Sequence, residues 1–203
     1  MVRTARYRAV ASVYDLVSLE WPVYRLPRLT AIAALNLRPG QRVLDVGCGT
    51  GLNLDPLHGA LGRTGSVTAV DASPQMLAAA RRRAQRRGWH ADTFICADMT
   101  ELPASSLPLA DAAVVTYALS LMGEWQAALD TVIEAVRPGG SVAVADLTFA
   151  AGRLARPASR LACHLGGSDP MARPWTRLEQ RTANVTGWSL RSGHVQVWVG
   201  TVR

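Results

Sequence analysis

Arg42-Val43-Leu44-Asp45-Val46-Gly47-Cys48-Gly49-Thr50-Gly51-Leu52-Asn53 is the stretch that decides the fold. Residues 43–46, apolar but for Asp45, read as a short strand buried on both faces. Glycine then recurs at 47, 49 and 51, where a backbone without Cβ passes close to a ligand. The spacing G-x-G-x-G differs from the dinucleotide fingerprint G-x-G-x-x-G and suits a ligand without a pyrophosphate. A tight strand-to-helix turn is the alternative explanation of the same glycines.

Strands and helices alternate outward from this turn. Upstream, residues 3–37 read as helices, with Pro27 as the place where the last one kinks or restarts. Arg38-Pro39-Gly40 ends them. Downstream, a helix begins near Leu52, and Gly62 to Gly65 turn into a strand over 66–71. Ser73-Pro74 opens a helix that runs to Gly88. Further strands read at 91–98, 111–119 and 141–149. Between them lie a Pro- and Ser-rich loop over 99–108 and an amphipathic helix over 124–136, closed by Arg137-Pro138-Gly139-Gly140. Residues 148–183 read as irregular, with one helix near 153–165. The stretch 188–202 reads as two strands joined at Ser192-Gly193, an antiparallel edge. Such alternation implies a parallel sheet covered by helices on both faces, with ligands at the carboxyl ends of the strands.

Composition narrows the class. The chain has 203 residues, 49% of them apolar, which excludes a disordered chain and allows a sizeable core. No apolar run is long enough to span a bilayer. The N-terminal stretch carries Asp15 and Glu20 and lacks the apolar region of a signal peptide, so a cytoplasmic location is expected. Cys48, Cys96 and Cys163 are too far apart for a disulfide framework or a zinc site, and no metal is expected. All 22 basic residues are arginine, giving a net charge of +7. That excess fits either the codon bias of a GC-rich genome or attraction to an anionic surface, lipid or nucleic acid. The densest cluster, Arg81-Arg82-Arg83 with Arg86-Arg87, reads as a solvated helix end. No aromatics interleave it, which speaks against nucleic acid as a partner.

Three acidic strand ends carry the chemistry. Asp45 precedes the glycines. Asp71 ends the second strand, where a carboxylate accepts from both hydroxyls of a ribose or caps the next helix. Asp98 ends the third strand, where it accepts from an adenine amino group while the next backbone N–H donates to a ring nitrogen; loop solvation is the simpler alternative. Met76, one turn into a helix, packs either on an adenine face or in the core.

Asp45 to Gly51, Asp71, Asp98-Met99 and the segment 137–146 (RPGGSVAVAD) together resemble the class I S-adenosylmethionine-dependent methyltransferases, over about residues 38–147. The resemblance implies an α/β fold: a Rossmann-like seven-stranded methyltransferase sheet, mostly parallel with an antiparallel C-terminal strand, with helices on both faces. It implies S-adenosylmethionine as cofactor and S-adenosylhomocysteine as product. By position, Asp45 would orient the methionine amino group, and Gly47, Gly49 and Gly51, with Cys48 and Thr50 between them, would line the methionine moiety. Asp71, with Ala72 beside it, would bind the ribose; Asp98, Met99 and Met76 the adenine; Tyr117 would lie near the sulfonium. Val13-Tyr14-Asp15 and Gly51-Leu52-Asn53-Leu54 are similar to the quinone C-methyltransferases and the bacterial phospholipid N-methyltransferases. This implies that Tyr14 closes over the cofactor and that Asn53 contacts it. The compact length and the region after the fifth strand depart from the quinone enzymes, so substrate identity does not carry over.

The expected organisation is one domain over 1–203: a helical cap (1–37), a cofactor-binding core (38–147), a substrate-side insertion (148–183) and a terminal strand pair (184–203). Substrate contacts are expected from Trp21, Tyr24, Ser120, Asp146, His164 and Trp175. No residue constellation names a catalytic group; His164 reads equally as a packed or surface histidine, and Asp146 equally as a turn cap. The expected function is methyl transfer to a small or lipophilic metabolite by in-line attack on the sulfonium methyl, with peripheral membrane contact left open. A non-catalytic S-adenosylmethionine-binding regulator and non-methyl chemistry on the same cofactor are the alternatives. The segment after the fourth strand, Thr116-Tyr117-Ala118-Leu119, lacks the N/D-P-P-Y/F tetrad of amino-methylating DNA enzymes.

Overall fold

The computed structural model describes residues 23–152 and 155–203. Tyr14, Trp21 and most of the cap read over 1–37 lie outside the described residues. In chain order the elements are α1 (Arg25–Ala34), β1 (Arg42–Val46), α2 (Leu54–Leu61), β2 (Ser66–Asp71), α3 (Pro74–Arg87), β3 (Thr93–Cys96), β4 (Ala110–Thr116), α4 (Trp125–Glu134), β5 (Val136–Leu147), α5 (Ala155–Gly166), α6 (Pro174–Arg181), β6 (Thr182–Leu190) and β7 (Val195–Val202). The strands form one seven-stranded sheet in the order β3-β2-β1-β4-β5-β7-β6. β7 runs antiparallel to both its neighbours, and the remaining pairs are parallel.

β1 pairs with β2 on one side and β4 on the other. The order of strands reverses there, and such a reversal opens a crevice at the carboxyl ends. Side chains alternate across the sheet. Val43 packs with Ala31 and Ile32 of α1, Leu54, Leu57 and Leu61 of α2, and Leu77 and Ala80 of α3. Leu44 and Val46 face the other way, against Leu129, Val132 and Ile133 of α4 and Leu178 of α6. The two-residue period therefore puts Asp45 on the α1/α2 face. Leu54, Leu57, Leu61 and Leu77 are almost wholly buried, each contributing about 2 kcal/mol of apolar burial.

Local signals explain most boundaries. Ser73 Oγ accepts from the Met76 N–H at 3.4 Å, Pro74 opens α3, and Gly88 closes it in the left-handed region at φ 75°. Pro27 is the third residue of α1, which a π-helical turn at residues 23 and 24 precedes.

Four expectations are corrected. β4 stops at Thr116, because Tyr117 takes a left-handed φ of 59° and turns the chain into a short 3-10 segment at Leu119–Leu121. β5 starts at Val136, which pairs with Ala110 before a bulge brings Ser141 opposite Ala112. Residues 148–183 hold two helices rather than one; α6, with Pro174 at its first turn, was not anticipated. The terminal pair begins at Thr182 rather than at 184. The arginine cluster of α3 is partly paired: Arg83 and Arg87 hold Asp55 at 3.1 and 2.8 Å, and Arg81 donates to the Phe94 carbonyl at 3.0 Å.

Candidate active site

The turn after β1 is anchored from β2. The Gly47 and Cys48 N–H groups both donate to the Val70 carbonyl, at 2.8 and 3.1 Å. Gly47 has φ 65°, and a Cβ there would lie 2.3 Å from the Ala118 Cβ, so the turn is locked against the chain leaving β4. Gly49 also has positive φ, 55°, yet a Cβ there would meet nothing within 4 Å. The open space lies over the middle glycine, at the carboxyl ends of β1 and β2.

Two carboxylates stand near the ends of β1 and β2, Asp45 and Asp71. Asp71 Oδ2 accepts from the Gly49 N–H and Oδ1 from the Ser73 N–H, both at 2.8 Å. The carboxylate thus fastens the glycine turn to β2, and each oxygen keeps a second lone pair. Burial raises its carboxyl above the usual range, and the two backbone donors oppose that rise.

Asp45 is fully buried. Its Oδ1 accepts from Asn53 Nδ2 at 2.7 Å, and its Oδ2 has no hydrogen-bond partner. Burial pushes this carboxyl up to about 7; the Asn53 hydrogen bond and Arg28 pull it down, and the Asp71 charge adds to the rise. Asn53 sits at the start of α2, but its side chain serves Asp45 instead of capping the helix. Its Oδ1 accepts from Arg28 at 2.7 Å, and the same guanidinium nitrogen donates to Thr116 Oγ1 at 2.8 Å. Burying an arginine is costly unless it is hydrogen-bonded and faces a negative group. Arg28, Asn53, Thr116 and Asp45 meet that condition jointly, with one carboxylate oxygen left over.

The remaining predicted residues divide. Thr50 is buried beside the glycines, as is Cys48, whose thiol is held protonated by burial and by the Asp45 and Asp71 charges. Met76 is buried at the start of α3, Ala72 is exposed, and Met99 packs in the core under β3 and β4. Asp98 is exposed and accepts from Thr100 N–H and Oγ1 at 3.0 and 2.8 Å. Tyr117 stands where β4 ends, with Arg28 5.3 Å above its ring and the Tyr24 ring 5.1 Å away. Trp175 is half-buried at the start of α6.

Ser120 and Asp146, expected to face substrate, are closed on each other. Asp146 accepts from Ser120 N–H at 2.9 Å, Ser120 Oγ at 2.5 Å and Leu147 N–H at 2.8 Å, and both residues are fully buried. This clasp ties the segment after β4 to the end of β5. His164 lies exposed on the outer side of α5. Arg28, Thr116 and His194 were missed. Their only signals were a lone arginine in an apolar helix, a threonine at a strand end and a histidine in a turn.

Residues 43–140 match the family model described as a methyltransferase domain. A ubiquinone/menaquinone biosynthesis C-methyltransferase of Cupriavidus metallidurans is 31% identical over 144 residues, which are 70% of this chain and 58% of the relative. The chain therefore spans less than two thirds of the curated relatives it matches. A SAM-dependent methyltransferase from Aquifex aeolicus superposes over all of both chains with a TM-score of 0.68 at 16% identity. The cyclase SpnF superposes over 88% of this chain and 80% of its own, with a TM-score of 0.68 at 20% identity. The sheet order and these superpositions show the Rossmann-like seven-stranded methyltransferase fold. Over residues 43–140 the chain is similar to that methyltransferase-domain family, and over 144 residues to the quinone C-methyltransferases. Among the described residues, no helix is long and apolar enough to cross a membrane.

Proposed function

We propose that the protein transfers a methyl group from S-adenosylmethionine to a small or lipophilic metabolite, with a ring carbon of a hydroxylated aromatic as acceptor. The observation that carries this reading is the unpartnered, fully buried Asp45 Oδ2 beside the glycine turn. An orphaned carboxylate oxygen is costly unless a cation completes it, and the methionine amino group is such a cation. The spare lone pairs of Asp71 suit ribose hydroxyls, and the space over Gly49 suits the methionine chain. Met76 and Asp98 border the adenine in this reading, and Tyr24 and Trp175 wall the acceptor. Bound S-adenosylmethionine supplies a methyl already activated by the sulfonium, so the protein's work is to align the acceptor and exclude water. The acceptor class rests on the C-methyltransferase relatives.

A lipophilic acceptor also suits peripheral contact with an anionic membrane. The outer side of α5 and the following loop expose Leu161, Leu165 and Met171 beside Arg156 and Arg160, a composition that favours such a surface.

The fold alone does not fix the chemistry, since a cyclase shares it. The test is incubation with methyl-labelled S-adenosylmethionine and a metabolite extract, followed by partition into organic and aqueous phases. Label in an organic-soluble product supports the reading, and label in the aqueous phase excludes the lipophilic acceptor. Tight S-adenosylhomocysteine binding without transfer points to a regulator or to non-methyl chemistry.

A further inference from the structure

We propose that Tyr24 and His194 form a proton relay for the acceptor hydroxyl, Tyr24 touching the acceptor and His194 acting through it as a positioning residue. The proposal rests on methyl transfer to a hydroxylated aromatic.

His194 is buried in the turn between β6 and β7. Arg191, Ser192 and Gly193 before it all take left-handed φ, 52°, 54° and 86°, and the turn aims the ring inward. His194 Nδ1 lies 2.7 Å from the Thr148 carbonyl oxygen, and the Thr148 N–H donates back to the His194 carbonyl at 2.8 Å. A carbonyl only accepts, so Nδ1 carries the hydrogen and Nε2 of the neutral ring presents its lone pair. That lone pair lies 3.5 Å from the Tyr24 hydroxyl, a long contact of the kind that tightens when substrate binds.

Tyr24 leads back to the cofactor site. Its ring lies against Tyr117, whose hydroxyl donates to the Tyr24 carbonyl at 2.7 Å. The next residue, Ala118, is the one that packs against Gly47. Among the described residues the surrounding charged and titratable groups are Cys163 of α5 near Tyr24, Asp146 of β5 near Cys163, and Arg28 of α1 over Tyr117; Arg191 in the turn donates to the Val23 carbonyl. Burial, with Cys163 adding, raises the Tyr24 phenol and keeps its proton in place for donation to Nε2.

The atoms balance as follows. The acceptor hydroxyl proton passes to Tyr24 Oη, and the Tyr24 proton passes to His194 Nε2. The acceptor carbon bonds to the methyl carbon as the carbon–sulfur bond leaves its electron pair on sulfur. The ring carbon then loses its hydrogen and the ring oxygen regains one, so one proton in net leaves through His194. The resulting imidazolium is stabilised by the Thr148 carbonyl.

The test uses Tyr24→Phe, which keeps the ring contact with Tyr117, and His194→Asn, which keeps a donor toward Thr148. Turnover is read with 1,4-naphthohydroquinone as acceptor and methyl-labelled S-adenosylmethionine as donor. At pH 7 each variant should lose about 100-fold in turnover, with S-adenosylhomocysteine affinity by calorimetry within about twofold of wild type. The double variant should be no slower than the slower single variant. The variants should regain about tenfold per pH unit as the acceptor itself ionises. Unchanged turnover, or a uniform loss with a pH profile parallel to wild type, overturns the relay while leaving methyl transfer standing. Wild type that binds S-adenosylhomocysteine but never labels the hydroquinone overturns the aromatic-acceptor reading and the relay with it. Independently of turnover, nitrogen NMR of the labelled protein should show His194 protonated at Nδ1, and Tyr24→Phe should shift the Nε2 resonance. A neutral ring protonated at Nε2 overturns the relay.

Discussion

Cofactor affinity should rise with pH through neutrality, and Asp45 sets the size of the effect. Its carboxyl is raised to about 7, first by burial and then by Asp71, against Asn53 and Arg28. An ammonium beside Oδ2 needs the charged form. A carboxyl titrating at about 7 is about nine-tenths protonated at pH 6 and half protonated at pH 7, so apparent affinity should rise about fivefold between them, about 1 kcal/mol. The window stays below about pH 7, above which an α-amino group loses an increasing share of its own proton. Calorimetry of S-adenosylhomocysteine at pH 6 and 7, in buffers of differing ionisation enthalpy, should show this slope and about half a proton released at pH 7. Asp45→Asn should bind about 10- to 100-fold more weakly at pH 7, the worth of a hydrogen bond to a charged group, and should lose the slope. The ligand-free protein should respond in the opposite sense. A carboxyl whose folded pKa is raised holds more protons folded than unfolded, so stability falls as pH rises from about 4 to about 7. Equal pH slopes for wild type and Asp45→Asn would refute the assignment of Asp45 to the amino group.

Four further outcomes follow from the geometry. Gly47→Ala should lower stability by about 2–4 kcal/mol in urea unfolding, from the left-handed φ and the clash with Ala118. Gly49→Ala should lose only about 1–2 kcal/mol of stability but weaken cofactor binding at least tenfold, because its Cβ enters the open space. Arg28→Ala should cost about 1–3 kcal/mol of stability by removing the shortest donor to Asn53 Oδ1 and to Thr116 Oγ1, which keep only their longer contacts with each other, and should move the pH midpoint of cofactor binding upward, since Arg28 lowers the Asp45 pKa. His58→Ala should cost about 2–3 kcal/mol, because His58 holds the buried Asp92 at 2.9 Å and stacks on Trp89 with ring centroids 4.1 Å apart, while turnover per folded molecule stays unchanged.

The strands, the glycine turn and the α3 boundaries were legible because their signals are local. Ser73-Pro74 and Gly88 are caps, readable within a few residues of the helix they bound. Tyr117 was located but its conformation was not. A tyrosine in an apolar run reads as strand, and only the packing of Ala118 against Gly47 shows why the chain turns there. α6 was missed because its short pattern, Pro174 and Leu178 among polar residues, is satisfied only by packing against α4, where Arg177 and Arg181 hold Asp130 at 2.6 and 2.9 Å. Ser120 and Asp146 were found as residues, but their pairing was not, because it joins the segment after β4 to the end of β5.

Arg28 and His194 mark where linear reading stops. Arg28 acts on Asn53, 25 positions away, and on Thr116, 88 positions away. Tyr24 and His194 are separated by 170 positions. No motif spans such distances, so nothing in their neighbours distinguishes them from a solvated arginine and a turn histidine. What singles them out is that both are buried polar groups whose side chains bond to residues of other elements. That arrangement forms only if the sheet order places α1, the end of β4 and the β6–β7 turn at the same edge. A family motif specifies the cofactor half of the site because the ligand's shape imposes its spacing. In the proposed relay the acceptor half is specified by tertiary contacts, so acceptor preference would change through Tyr24 and His194 without altering the glycine turn.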